Sequence, residues 1–212
     1  MKITILCSDA SHPVNEWLER WAACNNDRHA IEIVRSKHEA SGGDLLFLIS
    51  CSEIINARDR ANYQKTLVVH ASDLPNGRGW SPHIWQIVEG AREITLTLLE
   101  AEGKVDSGPI WKKLRVTIQA TWLYDEINKA LFDVELELMD YAVASFNSIM
   151  PIEQDAGVEP TYYPKRTPEN SRVDPNRSIA EQFDQIRVCD PARFPAFFEL
   201  RGHKYRLIVE RY

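Results

Sequence analysis

The chain has 212 residues, a net charge of −6, 44% hydrophobic and 26% charged residues. That composition is ordinary for a globular protein long enough to bury a real core, and it excludes fibrous or low-complexity chains. The acidic balance lacks the footprint of a nucleic-acid binder. The four cysteines form no C-x-x-C and no zinc-ligand spacing, so no metal site is expected. The first apolar run is too short for a signal peptide, and no stretch approaches the roughly 20 apolar residues of a membrane span. A cytoplasmic protein with free thiols and no membrane partner is the expectation.

In chain order, Ile3–Cys7 predicts a strand, Val14–Cys24 a helix with Trp17, Leu18 and Trp21 on one face, and Ala30–Val34 a second strand. Asp44–Ser50 is almost wholly apolar, as a strand buried on both faces of a parallel sheet would be. Ile54–Gln64 predicts a helix and Thr66–Val69 another apolar strand. Strands alternating with helices predict an α/β three-layer fold. Asp73–Pro82 reads as a loop and Ile84–Ala91 as a helix. Ile94–Leu99 and Leu114–Ile118 read as half-exposed strands joined by a polar turn, Glu102–Gly108. Ala120–Asn147 carries the longest helical pattern, with Ile127, Leu131, Val134, Leu138 and Tyr141 on one face. From Met150 to Asn176 a Pro-, Glu-, Asn- and Arg-rich stretch reads as an extended arm. Ile179–Val188 follows as a helix, and Ala196–Leu200 with Tyr205–Glu210 as a hairpin.

No G-x-G-x-x-G follows the first strand, and neither a P-loop nor a G-x-S-x-G elbow is present. The informative segment is His70-Ala71-Ser72-Asp73-Leu74-Pro75-Asn76-Gly77-Arg78-Gly79-Trp80-Ser81-Pro82, directly after an apolar strand. Ligands of open α/β sheets bind beyond the carboxyl ends of strands, so His70 sits where a catalytic base would sit. Val105-Asp106-Ser107-Gly108-Pro109-Ile110 follows one helix and one strand later, and Asp106 could meet His70 in one cleft. A neutral imidazole can take a proton from an attacking amine and deliver one to a leaving nitrogen, with a carboxylate orienting it.

The pattern H-x-S-x-L-P-x-x-R-G-x-x-P followed by T-L-x-x-x-x-x-x-V-D-S-G-P-I resembles the enzymes that use 10-formyltetrahydrofolate, over about residues 44–112. These include methionyl-tRNA formyltransferase and the nucleotide-sugar N-formyltransferases. Arg166–Asp174 and Phe194–Phe198 look like the sugar-modifying branch. The resemblance implies a Rossmann-like core with a mainly parallel sheet in a catalytic domain of residues 1–150, and an extension of residues 151–212 holding the arm, helix and hairpin. It implies His70 and Asp106 as catalytic residues and Cys51, Ser52, Leu74 and Val105 around the folate. Ser8, His12, Ser72, Arg78 and Trp80 are the candidates on the substrate side. His12 also reads as a plain surface histidine, and Arg78 as a solvated turn residue. The family's Asn, two residues before the His, is replaced by Val68; His70, a backbone N–H or Ser72 would then stabilise the oxyanion.

The expected activity is N-formyl transfer to the amine of a nucleotide-linked amino sugar, a pseudaminic-acid-type precursor being one candidate, for surface-glycan biosynthesis. The alternatives are a formyltetrahydrofolate hydrolase or a transferase to another small amine, and a folate- or sugar-nucleotide-binding protein without catalysis. The chain is shorter than most relatives, so the tRNA-binding domain of the methionyl-tRNA enzyme is expected to be missing. The hairpin at Ala196–Glu210 could build a homodimer interface.

Overall fold

The computed structural model describes residues 1–212. In the first half, β1 (Lys2–Leu6) leads into α1 (Asn15–Asn25), β2 (Ala30–Val34), β3 (Gly43–Leu48), α2 (Ala57–Arg60) and β4 (Tyr63–His70). Then come β5 (Arg78–Gly79), α3 (Pro82–Val88), β6 (Glu93–Glu100), β7 (Ile110–Thr117) and α4 (Tyr124–Ser145). The remainder forms β8 (Tyr162–Tyr163), α5 (Ile179–Arg187), β9 (Ala196–Leu200) and β10 (His203–Leu207). Six strands make one sheet in the order β2-β1-β3-β4-β6-β7. Strands β1 to β4 pair in parallel, whereas β6 runs antiparallel to both β4 and β7. The expected α/β architecture with a mainly parallel sheet is therefore what the protein adopts.

Apolar side chains alternate across the sheet because strand residues point to opposite faces. Ile3, Ile5, Leu45, Phe47 and Leu67 bury against Leu18 and Trp21 of α1 and Leu131 and Leu138 of α4. Leu6, Leu46 and Leu48 pack on the other face with Val34, Ile55 and Tyr63. Burial on both sides explains why β3 reads as an unbroken apolar run. Indole N–H groups tie the helices together: Trp17 donates to Asp133 at 2.9 Å and Trp21 to Asp140 at 2.7 Å.

Two expectations fail here. Ile54–Gln64 is not a helix. Only Ala57–Arg60 is helical, capped reciprocally by Asn56 and Asp59, and Tyr63 already belongs to β4. Ile54 stays 83% exposed, so no apolar face rewards a longer helix. Nor is Ile94–Leu99 half-exposed, since all six residues are buried. Thr95 and Thr97 look polar in sequence, but Thr97 Oγ1 donates to the Ser72 carbonyl at 2.7 Å inside the protein. A buried hydroxyl that finds a carbonyl carries little penalty.

The segment after Met150 runs extended across the body, as an arm should. Ile152 bridges to Ile110, and β8 pairs in parallel with β5. The hairpin forms with Ala196–Leu200 as its first strand and His203–Leu207, rather than Tyr205–Glu210, as its second. No helix is long and apolar enough to cross a membrane.

One core feature has a pH signature. Glu135, on α4, has a buried Oε2 with no partner, and burial pushes its carboxyl from 4.5 up to about 8. The unfolded chain ionises this group from about pH 4.5, while the folded chain holds the proton until about pH 8. Its contribution therefore erodes stability as pH rises through that window and levels off above it. At 1.36 kcal/mol per unit the shift bounds the loss at about 5 kcal/mol, and because Glu135 is only half-buried the expected loss is about 2–4 kcal/mol. Glu135→Gln should match the natural protein at pH 5 and exceed it by that margin at pH 8 in urea unfolding. Parallel stability curves for the two proteins would sink this account.

Candidate active site

Strands β1, β3 and β4 all end on the same edge of the sheet, because they are parallel. At that edge lie Ser8, Ser50–Ser52 and His70, the last residue of β4. The Ser52 amide donates to Ser8 Oγ at 2.8 Å, joining the first two loops. His70 closes β4 opposite Thr97 of β6. Its ring Nε2 lies 2.9 Å from the Gly77 carbonyl, and its Nδ1 lies 3.6 Å from Asp106 Oδ2. A carbonyl only accepts, so Nε2 carries a proton. A proton placed on Nδ1 would lie between the ring and the carboxylate. The gap exceeds an ordinary hydrogen bond but is within ion-pair reach. Both side chains are only 8% exposed.

Glycines make the loop possible. Gly77 has φ +72°, and a Cβ there would come within 2.9 Å of Ser72 Cβ. Gly79 has φ +98°, and a Cβ would press to 2.5 Å from the Tyr163 carbonyl. Both are left-handed conformations that favour glycine, and both allow β5 to lie tightly under the arm. The Gly79 amide donates to Asp106 Oδ2 at 2.9 Å, so the loop after β4 also holds the carboxylate that faces His70. Asp106 itself is left-handed, with φ +53°.

The other candidates divide into those close to this pair and those remote from it. Ser72 is buried; its amide is spent on the His70 carbonyl, and its Oγ has no partner. Leu74 is buried, and its carbonyl accepts from Lys113 Nζ at 2.6 Å. Cys51 is half-buried beside Val68 on the Leu48 face, where burial pushes its thiol up. Val105 is 65% exposed. Trp80 is partly exposed, with Lys165 Nζ 4.8 Å from its ring centroid. Ser8 and Ser52 share the β1 and β3 ends with His12.

Two residues depart from their plain surface readings. His12 is half-buried, with Nδ1 accepting from the Val14 amide at 3.2 Å, Nε2 3.3 Å from Ser50 Oγ, and its ring against Phe132. Burial first, and the Arg193 charge second, push its ring down to about 4. Arg78 is not a solvated turn residue but is buried: Nη2 donates to Gln154 Oε1 at 2.7 Å, and Nη1 to the Tyr162 hydroxyl at 3.3 Å.

The arm residues were missed in sequence. Thr161 accepts the Gly77 amide through Oγ1 and the Arg78 amide through its carbonyl. The Trp85 ring stacks on Tyr163 at 6.3 Å between centroids, and its Nε1 donates to the Pro164 carbonyl. His83 is another residue with no sequence signal. Burial, reinforced by His12, His70 and Arg166, pushes its ring down to about 4. The signal in the sequence that could have found the arm is its aromatic and basic run, Tyr162-Tyr163-Pro164-Lys165-Arg166.

A sequence model described as formyl transferase matches residues 2–143. The chain belongs to that family. A methionyl-tRNA formyltransferase from Protochlamydia amoebophila is 28% identical over 174 residues, 79% of this chain and 54% of that protein. The chain thus spans about half the length of that curated relative. Among solved structures, a methionyl-tRNA formyltransferase from Clostridium thermocellum superposes with a TM-score of 0.82 at 22% identity, covering 96% of this chain and 90% of that one. A sugar N-formyltransferase from a Shewanella species gives 0.74 at 14%, covering 99% and 97%. HypX from Aquifex aeolicus, solved with tetrahydrofolic acid, gives 0.78 at 20%, covering 96% of this chain and 36% of that one. At these identities the structural likenesses establish the fold. His70 and Asp106 both lie within the matched region of this formyl transferase family member.

Proposed function

We propose that the protein transfers a formyl group from 10-formyltetrahydrofolate to the amine of a nucleotide-linked amino sugar. The observation that carries the transfer chemistry is the buried His70–Asp106 pair at the end of β4 in a formyl transferase family member. The donor supplies the formyl carbon and a folate nitrogen that must leave with a proton. The attacking amine loses a proton and the folate nitrogen gains one; His70 would take the first and deliver the second, with Asp106 facing its Nδ1 at 3.6 Å to hold the charged ring. Ser72 Oγ, a buried hydroxyl with no partner beside them, fits a formyl oxygen in need of a donor. Cys51, Ser52, Leu74 and Val105 would flank the folate. On the acceptor side would stand Ser8, His12, Arg78 and Trp80.

The acidic net charge of −6 supports a small acceptor over a polynucleotide. A second reading, transfer to methionyl-tRNA, draws support from the Protochlamydia relative. Incubating the protein with 10-formyltetrahydrofolate and either UDP- and dTDP-amino sugars or charged initiator tRNA decides between them. The proposal expects a mass gain of one formyl group on a sugar nucleotide; formylation of the tRNA alone would overturn it. Folate deformylation without any acceptor would mark a hydrolase.

Val68 shares its sheet face with His70, being two residues away, and packs against the Leu46 and Leu48 cluster. An isopropyl group cannot stabilise an oxyanion, so Ser72 takes that part. Ser72→Ala should lower kcat about 100-fold, the usual loss for one such donor. Val68→Asn should change kcat by less than about 10-fold, because the site already works without an amide there. Turnover seen only in Val68→Asn would support a binding protein in place of an enzyme.

A further inference from the structure

Arg78 is a buried guanidinium with no carboxylate within ion-pair reach, and its Nε has no partner. Buried charges are normally paired. Here the charge leans instead on a neutral amide from the arm, Gln154, whose Oε1 accepts from Nη2 at 2.7 Å. The same amide turns its Nε2 to two carbonyls of the β6–β7 connection, Asp106 at 2.8 Å and Gly108 at 3.0 Å. The guanidinium only donates and the carbonyls only accept, so the amide can sit one way round.

We propose that Gln154 is a positioning residue for the His70–Asp106 pair, a role that rests on the formyl-transfer reading of that pair. Asp106 needs holding because its backbone is left-handed, at φ +53°, a conformation that side chains other than glycine rarely adopt. Gln154 fixes its carbonyl from one side while the Gly79 amide fixes its carboxylate from the other. Gly108, two residues on, is packed so tightly that a Cβ would fall 2.0 Å from the Glu100 carbonyl, so the connection has little slack of its own to absorb a loss. The residue lies outside the matched 2–143 region, in the arm. The reacting pair is thus set by a side chain that the catalytic motifs do not contain.

Gln154→Glu separates anchoring from positioning. A glutamate still accepts from Arg78, now as an ion pair, but cannot donate to the two carbonyls and repels them. Either role lowers the Tm somewhat, because two carbonyls lose their donor. If Gln154 only ties the arm down, Q154E keeps its turnover; positioning predicts donor KM within about twofold and kcat lowered about 10- to 100-fold, since misplacement near 1 Å can cost that much. In an Asp106→Asn background the same change should cost less than about twofold, because the two residues act as one unit. The 15N ring resonances of His70 should move in Q154E toward their positions in Asp106→Asn. Kcat within about twofold of the natural protein, or losses that multiply in the double variant, would overturn the proposal. If no acceptor is formylled even by the natural protein, the transfer reading fails by itself. The His70 resonances then decide alone: a shift toward Asp106→Asn upholds positioning, and unmoved resonances overturn it. Should Q154E not fold, Gln154→Leu replaces it in each measurement.

Discussion

His70→Asn and Asp106→Asn each lower kcat by at least about 100-fold, the range expected when a general acid–base group is lost. The two residues face each other at 3.6 Å with both side chains 8% exposed, so no bulk water stands in for either partner. His70→Asn keeps a polar group near the Gly77 carbonyl but cannot shuttle a proton at neutral pH. Asp106→Asn keeps the shape that accepts the Gly79 amide and removes the charge facing the ring. Folate binding should change far less, because the residues proposed to flank the folate, Cys51, Ser52, Leu74 and Val105, are outside this pair. The check is steady-state kinetics beside donor binding by calorimetry. Near-normal turnover in either variant removes that residue from the catalytic role, while loss of binding with intact folding makes it structural. The pair should also be non-additive, with the double variant no slower than the worse single one, as residues acting in one step are.

Arg187→Ala costs about 3–5 kcal/mol of stability, the range for truncating a large, fully buried side chain and leaving its buried acceptors without a donor. Arg187, at the end of α5, has a fully buried side chain. Its Nε donates to Asp184 Oδ1 at 2.6 Å, and its Nη1 to the carbonyls of Gln119 and Trp122, both at 3.0 Å. It therefore fastens the C-terminal helix to the turn that leads from β7 into α4. Truncation leaves a cavity, two carbonyls without a donor and Asp184 without its nearer cation, although Arg92 still reaches Asp184 at 3.0 Å. Asp184→Ala should cost less, because the guanidinium keeps its two carbonyls. Urea unfolding of both variants tests the ranking. A loss under about 1 kcal/mol for Arg187→Ala would mean that the bonds it makes are replaced by water on relaxation.

The strand pattern was legible because it is a local property. Ala30–Val34 and Ala196–Leu200 form with the expected ends, since β-branched or aromatic residues are gathered within five consecutive positions. Ile54–Gln64 is not one helix because its buried residues, Ile55 and Tyr63, flank the helical turn Ala57–Arg60, none of which is buried, and β6 departs from expectation because Thr95 and Thr97 look polar until Thr97 finds the Ser72 carbonyl. The same division runs through the site. His70 and Asp106 stand out by residue type and position, and Ser72 and Arg78 by the motif they share with the family, yet nothing local marks Arg78 as buried or His12 as wedged against Phe132.

The sequence by itself determined the α/β sheet, the strand-end position of His70, the paired motifs and the family they belong to. The tertiary structure alone decided which groups hold the His70 ring, that Ser72 Oγ is buried without a partner, and that Gln154 and Thr161 of the arm close the loop around Gly77–Gly79. Side chains alternate within a strand over a few residues, so a short window records them. The Arg78–Gln154 and Gly77–Thr161 contacts join positions 76 and 84 residues apart, and their partners are set by the path of the whole chain. No periodicity or propensity encodes that path, because the energy of such a contact exists only once the surrounding layers have packed.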